Sequence, residues 1–452
     1  MVDKQIAKLK PNIFFLVIDG LRSDRCFENN GTSKTPHLNM LKKTSLQFTN
    51  LFGTSTVTGT CLGCTFSGLL PFKTGNTLFH LNKNIPTIFD VLQKNEYTLH
   101  ATIPNLTWFK QLTERFNYVD EYDALDDHTR DTIFNSVGKK IIEKLNTMNS
   151  PWVYFTHIFD LHIPTKFDPK FSDAEFGQSK YDKSVSCIDS WLGKFLEKIN
   201  LKNTIVVITS DHGEIIPKVE FDVPLQTTKK LMKSVKQKIP ALEPLGVKIY
   251  KKMSRNAHLK RIDHDSRDLK DEEKRTLITR GLVDLVHDDL IHIPLIIHTP
   301  DNIEKEISQL TRQIDISPTI LKILNLKFDN PIDGQNLLSL TKGDGLEEEP
   351  AYIESGSNSP DKLGKFIGIR TSKFKYMRPR DDEDPQRFLF DLLDDPMESH
   401  NLANVRTTAV KYHEKILQNI LTDSTSNTSY EENMEDDIQK RIESEYKKLG
   451  YL

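Results

Sequence analysis

The stretch from Thr204 to Glu214 constrains the fold more than any other part of the chain. It reads Thr-Ile-Val-Val-Ile-Thr-Ser-Asp-His-Gly-Glu, so a run of β-forming residues ends at an acid and an imidazole. Ile205–Ile208 has no polar face and is too short for a helix, which predicts a strand buried on both sides in a parallel sheet. Polar residues at the carboxyl end of such a strand lie where open α/β sheets place their sites. Asp211 and His212 are therefore candidate ligands of a divalent metal, although a plain polar turn would give the same pattern.

Two other apolar runs end in a similar way. Ile13–Ile18 is followed by Asp19, which is either a cation ligand or a helix cap. Trp152–Phe159 is followed by Asp160 and, two residues later, by His162. His162 is a candidate for binding a substrate anion or protonating a leaving group, and the alternative is a structural loop histidine. Acids and imidazoles at three strand ends predict one shared site.

A loop rich in hydroxyl groups, Gly53–Cys61, leads into the apolar segment Cys64–Leu70. We expect this loop to precede a helix, whose free N–H groups and dipole favour an anion. A Thr or Ser at that point could attack phosphorus or sulfur with the help of a metal, or could simply cap the helix. Cys61 and Cys64 form a single Cys-x-x-Cys without a second pair, so the sequence does not favour a zinc or redox site.

The composition excludes several classes of function. The apolar share of 37% and the charged share of 28% are typical of a globular protein. A formal net charge of -3 gives no electrostatic basis for binding nucleic acid or an anionic membrane. No run approaches the roughly 18 apolar residues of a membrane span, and Ile13–Ile18 is too short for the core of a signal peptide. The four cysteines fit a reducing compartment, so we expect a cytoplasmic protein.

The remaining chain divides into segments that differ in apolar spacing and charge. The apolar spacing of Tyr181–Ile199 predicts a helix that leads into the Thr204 strand, and Asp288–Ile297 is predicted to be another buried strand. The Lys-rich stretch between them, residues 215–280, is predicted to be a helical insertion or lid. It contains His258, Asp263 and His264, which are either anion contacts or solvated residues. After Gly334 short strands alternate with charged turns, and the tail from Thr407 is helical and charged.

Taken together, these segments resemble the sulfatase family, within the alkaline-phosphatase-like superfamily. The resemblance covers nearly the whole chain. Landmarks similar to the family's occur in its order: Asn12 to Asp19, Thr35-Pro36-His37-Leu38, Phe48-Thr49-Asn50, Asp160-Leu161-His162-Ile163-Pro164, Thr209 to Glu214, His292-Ile293-Pro294-Leu295, Asp315-Ile316-Ser317-Pro318-Thr319, Asp333 to Leu337, Phe390-Asp391-Leu392, Asp395-Pro396-Met397-Glu398 and Asn401-Leu402.

The resemblance implies the fold and the division into domains. We expect an α/β fold with a large mixed, mostly parallel sheet sandwiched by helices, and a small C-terminal antiparallel α+β subdomain. The predicted catalytic domain spans residues 1–345, including the insertion at 215–280, and residues 346–452 form the C-terminal subdomain with the charged helical tail.

The chain also departs from the family's pattern. Sulfatases carry Cys-x-Pro-Ser-Arg at the nucleophile, with a Cys or Ser oxidised to formylglycine. In the family the nucleophile usually lies thirteen residues before the proline that matches Pro71. In this chain that position holds Thr58, followed by Gly-Thr-Cys-Leu. The Gly-Lys-Trp-His of the family is missing after Tyr97, and Asp19 is followed by Gly20 instead of a second acid. These features resemble the phosphodiesterase, phosphonate hydrolase and transferase branches.

The resulting hypothesis is that Asp19, Thr58, Asp211 and His212 hold one divalent metal, with Thr58 as nucleophile and His162 assisting the leaving group. A His ligand favours Mn or Zn, while Ca or Mg remain possible. The predicted substrate is a small anionic ester, namely a phosphodiester, a phosphonate or a related ester. The alternatives are a sulfuric ester hydrolase, a phospho-group transferase, and an inactive homologue that only binds the metal.

Overall fold

The computed structural model describes residues 10–27, 32–76, 80–125, 129–162, 164–216, 286–342, 347–356, 364–381, 383–422, 440–441 and 444–445. The chain forms two compact units, Met1–Glu214 with Asp284–Leu452 and Ile215–Val283. The insertion candidates His258, Asp263 and His264 lie outside the described residues, so their roles, like the domain boundaries given above, stay predictions.

A large mixed sheet forms the centre of the first unit. Its strands are β1 (Asn12–Ile18), β2 (Ser45–Phe52), β3 (Thr98–Pro104), β4 (Tyr118–Tyr122), β5 (Trp152–Ile158), β6 (Thr204–Thr209), β7 (His292–His298), β8 (Lys305–Ile307) and β9 (Thr311–Arg312). Their order across the sheet is β4-β3-β5-β1-β6-β7-β2-β8, and β9 also pairs with β2. The five strands from β4 to β6 run parallel, and β7 pairs antiparallel with both of its neighbours.

The parallel order places three sequence-distant strand ends side by side. β1 pairs with β5 on one side and with β6 on the other, and every residue of the three strands is buried. The carboxyl ends of β5, β1 and β6 therefore meet at one edge of the sheet. Asp160, Asp19 and Asp211, which directly follow or lie close to these ends, are brought to that edge as the sequence predicted.

Helices cover the sheet and connect its strands. They are α1 (Asp24–Phe27), α2 (Pro36–Lys42), α3 (Thr58–Ser67), α4 (Pro71–Thr74), α5 (Ile88–Lys94), α6 (Thr107–Leu112), α7 (Gly138–Leu145), α8 (Lys180–Leu196), α9 (Asp288–Ile291), α10 (Ile316–Ile323), α11 (Leu338–Thr341) and α12 (Thr407–Thr422). The predicted helix Tyr181–Ile199 is α8, which begins with a capping box between Ser179 and Asp182. Among the described helices none has the length and apolarity to cross a bilayer.

The core is continuous from the sheet to the helix that begins at Thr58. Phe66 of α3 packs edge-on against Phe15 of β1, with ring centroids 5.6 Å apart, and against Phe155 of β5 at 5.3 Å. All ten residues of α3 are buried. Burial of these aromatic rings fixes α3 on the sheet, since each contributes about 2–3 kcal/mol when removed from water.

A second sheet of four antiparallel strands lies in the C-terminal part, as predicted. Its strands are β10 (Ala351–Glu354), β11 (Phe366–Arg370), β12 (Phe374–Pro379) and β13 (Phe388–Asp391). Helix α12 packs against this sheet through Leu417 in a shared apolar cluster. The small sheet also touches the loop before α3, because Glu354 N–H donates to the Thr54 carbonyl at 2.9 Å.

Two boundaries differ from the sequence-based prediction. Asp288–Ile297 was predicted as one strand, but Asp288–Ile291 is a helical turn and the strand begins at His292. The polar side chain of Asp288 pairs with Lys375 and Arg370 of the small sheet, which favours a turn over an extended start. The hydroxyl-rich loop was expected to continue to Cys61, whereas α3 already begins at Thr58.

Candidate metal centre and nucleophile

Asp19 occupies a sharp turn directly after β1. Its backbone N–H donates to the Ile158 carbonyl at 2.9 Å, which continues the pairing with β5 beyond the strand. The next residue, Gly20, has a φ of 71°, a left-handed conformation that glycine adopts at little cost. The N–H of Gly20 donates to Asp211 Oδ1 at 3.1 Å. The turn after β1 is thus joined directly to the acid that follows β6.

The Asp211–His212 turn is held by backbone contacts on several sides. Ser210 Oγ accepts the Leu21 N–H at 2.9 Å, and the N–H of Gly213 donates to the Leu290 carbonyl at 2.8 Å. The buried amide of Gln313 donates to the Asp211 carbonyl at 2.7 Å. A turn fixed at this many points presents the Asp211 and His212 side chains in one defined orientation.

Gln313 also positions the loop before the candidate nucleophile. Its Oε1 accepts the Thr54 N–H at 3.1 Å, while its Nε2 binds Asp211. One side chain therefore connects the loop before α3 to the turn after β6. Thr58, the first residue of α3, is buried, and its Oγ1 lies 3.4 Å from His212 Nε2.

The tautomer of His212 follows from its contacts. Its Nδ1 lies 2.8 Å from the Gly213 carbonyl oxygen, which can only accept, so Nδ1 carries the proton. Nε2 then presents a lone pair to Thr58, and it lies 3.4 Å from Asp211 Oδ2. Two acceptor atoms that face one another in this way suit a cation placed between them.

Asp19, Asp211 and His212 each offer one ligand atom, and these atoms lie within 4.8 Å of one another. The three residues are fully buried. Within the described part of the chain, Asp19 Oδ1 and Asp211 Oδ2 have no hydrogen-bond partner. Buried carboxylate oxygens are costly when they lack a partner, and a divalent cation removes that cost. The residues present therefore fit a divalent metal.

Electrostatics keep Asp19 ionised. Burial alone would raise the pKa of Asp19, but the hydrogen bond from His157 and the neighbouring imidazoles of His212 and His162 lower it well below its ordinary value. The carboxylate form is the one that binds a cation.

His162 lies at the same edge of the sheet, in the loop after β5. Its side chain is buried, and its ring stacks on Phe159 with centroids 4.4 Å apart. Arg130 holds the loop, because its guanidinium donates to the His162 carbonyl at 3.3 Å and to the Pro164 carbonyl at 2.6 Å. His162 is one of the imidazoles that lower the pKa of Asp19, so it lies near the candidate metal ligands.

The neighbouring Asp160 has a structural contact. Its carboxylate accepts the Ile133 N–H at 2.9 Å, at the start of the helical run that continues into α7. Burial raises the pKa of Asp160 to about 7, against a smaller lowering by this hydrogen bond and by Arg130 and Lys166. Asp160 does not belong to the group of candidate ligands formed by Asp19, Asp211 and His212.

Cys61 and Cys64 are not placed to act as nucleophiles. Both lie inside α3, beyond Thr58, and both are fully buried. The Cys61 thiol donates to the Ser55 carbonyl at 3.1 Å, and burial raises the pKa of both thiols above the ordinary value. A thiol that stays protonated is a poor nucleophile.

Sequence reasoning missed His157, which lies in the middle of the site. It is a fully buried residue of β5, and its Nε2 lies 3.4 Å from Asp19 Oδ2. The signal was available, because His157 is an ionisable residue inside a mostly apolar strand. Gln313 was missed as well, and no local pattern marks it.

The fold and the site together define a class. A mostly parallel α/β sheet that gathers two carboxylates and an imidazole at the carboxyl ends of its strands is typical of an α/β protein whose site lies at that edge. The comparison with protein families is specific: the sulfatase model matches residues 11–326, and the model of the N-sulphoglucosamine sulphohydrolase C-terminal region matches residues 282–426. The chain belongs to the sulfatase family.

Individual relatives are distant. The chain is 29% identical over 150 residues to the uncharacterized sulfatase YidJ of Escherichia coli, which covers 31% of this chain and 28% of that protein. The alignments with the first curated relatives span about a third of those proteins' length. Among solved structures, the putative sulfatase yidJ from Bacteroides fragilis has a TM-score of 0.67 at 17% identity, with 98% of this chain and 100% of that chain covered. The phosphonate monoester hydrolase of Agrobacterium radiobacter has a TM-score of 0.64 at 16% identity, with 91% and 96% covered. These likenesses show the fold.

Proposed function

We propose that the protein is a metal-dependent hydrolase that cleaves a phosphodiester, a phosphonate or a related anionic ester through Thr58. The observation that carries this proposal is the 3.4 Å contact between Thr58 Oγ1 and His212 Nε2, at the cluster of three candidate ligands. A hydroxyl at that position is next to the cation and at the N-terminus of α3, where free N–H groups favour an anionic substrate. The structural likeness to the phosphonate monoester hydrolase of Agrobacterium radiobacter supports the phosphonate class.

Asp19, Asp211 and His212 would hold the metal, and Thr58 completes the ligand set. When bound, the metal screens the charge of the substrate and lowers the pKa of the hydroxyl. The nitrogen ligand favours Mn or Zn over Ca or Mg.

The reaction proceeds in two balanced steps. Thr58 Oγ1 forms a bond to phosphorus while the bond from phosphorus to the leaving oxygen breaks. The hydroxyl proton of Thr58 passes to solvent, and His162 donates a proton to the leaving oxygen. Water then attacks phosphorus, the bond to Oγ1 breaks, one proton of that water restores the Thr58 hydroxyl, and His162 takes a proton back from solvent. The cytoplasmic location inferred from the sequence stays a prediction.

Sulfate ester hydrolysis by the same hydroxyl is the second candidate, because the Escherichia coli relative is named as a sulfatase. The chemistry differs in the atom attacked, so one assay separates the candidates. Metal-stripped protein is reconstituted with Mn, Zn, Mg or Ca and assayed on nitrophenyl phosphodiesters, phosphonates and sulfates.

The variant Thr58→Ala tests the nucleophile. We expect it to lose about 10³-fold or more in kcat, because the attacking group is gone, and to keep the three metal ligands. Thr65→Ala is the matched control, since Thr65 lies in the same helix and its hydroxyl only donates to the Cys61 carbonyl. Full activity of Thr58→Ala contradicts the proposed nucleophile. If the unaltered protein hydrolyses none of these esters with any metal, the inactive metal-binding homologue is the better description.

A further inference from the structure

We propose that His157 is a positioning residue of the metal centre, which orients the Asp19 carboxylate for the cation. This inference rests on the proposed function, because it concerns the metal that Asp19 would bind. His157 is an ionisable residue in β5, a strand whose every residue is buried.

The contacts of His157 determine its role. Its Nε2 lies 3.4 Å from Asp19 Oδ2, and both side chains have no exposed surface. A carboxylate oxygen can only accept, so Nε2 carries the proton and donates it. Nδ1 has no hydrogen-bond partner among the described residues, so the contact with Asp19 is the one hydrogen bond of the ring found there.

The strand register explains how this pair forms. His157 pairs with Val17 across β5 and β1, two residues before Asp19. The ring is enclosed by Phe109, with centroids 4.6 Å apart, and by Phe159 at 6.4 Å. In addition, the hydroxyl of Tyr122 donates to the His157 carbonyl at 2.7 Å. Two aromatic rings therefore flank the imidazole, and the Tyr122 hydrogen bond fixes the backbone that carries it.

The two carboxylate oxygens of Asp19 therefore have different roles. Oδ2 accepts the proton of His157, and Oδ1 has no partner within the described residues. A carboxylate fixed in this way presents one oxygen to the cation before the cation arrives. Hydrogen bonds to ligating side chains typically change metal affinity by about 10–100-fold.

The test uses a pair of variants, His157→Gln and His157→Met. The two side chains are similar in length and volume, but only Gln offers an N–H donor to Asp19. Affinity for Mn and Zn is measured on the whole chain, without substrate, by competition with a chromophoric chelator. We expect His157→Met to lose about 10–100-fold in metal affinity and His157→Gln to recover most of that loss.

His100→Met is the matched control. His100 is a buried histidine of the neighbouring strand β3, but its ring stacks on Tyr118 and it has no contact with Asp19 in the structure. We expect its metal affinity to equal that of the unaltered protein. Circular dichroism and thermal unfolding show that each variant folds.

The outcomes separate this inference from the function on which it rests. If the unaltered protein binds metal and both variants of His157 bind it equally well, the positioning role is overturned and the metal centre stands. If the unaltered protein binds neither Mn nor Zn, the metal centre and the role of His157 are both overturned. Should His157→Met fail to fold, His157→Gln still tests the role. Its N–H can donate to Asp19, so a metal affinity close to that of the unaltered protein supports the role, and a loss of about 10–100-fold contradicts it.

Discussion

The buried Asp160 carboxylate makes the stability of the protein depend on pH, and its replacement by Asn should remove that dependence. Burial raises its pKa from 3.8 to about 7 in the folded protein. The unfolded chain exposes the carboxylate, where 3.8 is the ordinary value. Between these two values the folded state therefore binds one more proton than the unfolded state. Such a group stabilises the folded state least at high pH.

The sign and size of the effect follow from this difference. As pH rises from about 4 to 7, the unaltered protein loses stability at about 1.4 kcal/mol per pH unit from this group alone, and above pH 7 the loss is complete. The total is on the order of 4 kcal/mol. Asp160→Asn carries no charge at any pH, and its amide oxygen can still accept the Ile133 N–H. We expect it to be more stable than the unaltered protein at pH 8, by up to a few kcal/mol, and by much less at pH 5.

Denaturant unfolding of the metal-free proteins between pH 5 and 8.5 measures the difference. Asp160→Ala is the control for the hydrogen bond, because it removes the charge and also the acceptor for Ile133. The stability of Asp160→Ala should depend on pH in the same way as that of Asp160→Asn. Its free energy of unfolding should be lower than that of Asp160→Asn by about 1 kcal/mol at every pH. A stability difference between Asp160→Asn and the unaltered protein that does not change with pH would refute the reasoning.

Two further substitutions test contacts that support the site. Lys375→Met removes a fully buried ammonium that lies 2.5 Å from both Asp288 and Glu398. We expect a loss of about 3–5 kcal/mol in the free energy of unfolding, measured with denaturant, because the buried Glu398 and the half-buried Asp288 both lose this ammonium, and Asp288 keeps its ion pair with Arg370. Gly213→Ala would place a methyl group against the Asp289 carbonyl, closer than any real contact. We expect a loss of about 1–3 kcal/mol and weaker metal binding in a chelator competition, because the turn that carries the metal ligands must shift.

Matched controls exist for both substitutions. Lys373→Met removes an exposed lysine near Lys375 and should change stability by no more than about 0.5 kcal/mol. Gly53→Ala adds a methyl group whose nearest neighbour, the Ile291 carbonyl oxygen, lies at an ordinary 3.5 Å. If Gly213→Ala binds metal as tightly as Gly53→Ala does, the close packing of that turn does not hold the ligands in place.

The strand ends were predictable because their signal is local. A mostly apolar run followed by an acid occurs at Asp19, at Asp160 and, after two polar residues, at Asp211, and parallel pairing brings such ends together. Thr58 was found only by counting from Pro71 in a resemblance, since hydroxyl-rich loops are common. Its role as nucleophile stays a proposal, although the structure places its hydroxyl beside His212.

The supporting residues were not predictable, because they act across long sequence separations. His157 touches Asp19 only through the register of β5 with β1. Gln313 joins Thr54 to Asp211 from a third segment of the chain. Neither contact leaves a pattern within a window of neighbouring residues. The strand predicted from Asp288 failed for the same reason, because the partner of Asp288 is Lys375 in the distant small sheet.

The glycine after Asp19 accounts for the unusual donor set of this site. Gly20 contributes to the site through its backbone alone. Its N–H donates to Asp211, and its carbonyl accepts the Tyr181 hydroxyl at 2.6 Å. With a φ of 71°, a larger residue would be strained, and its Cβ would lie 3.5 Å from the Cβ of Glu214, beside that carboxylate. The candidate ligands are therefore two carboxylates and one imidazole, a set poorer in negative charge and oxygen than one with a further acid. Hard cations such as Ca prefer all-oxygen sites, so in the proposed metal centre the same glycine that shapes the turn is expected to favour Mn or Zn.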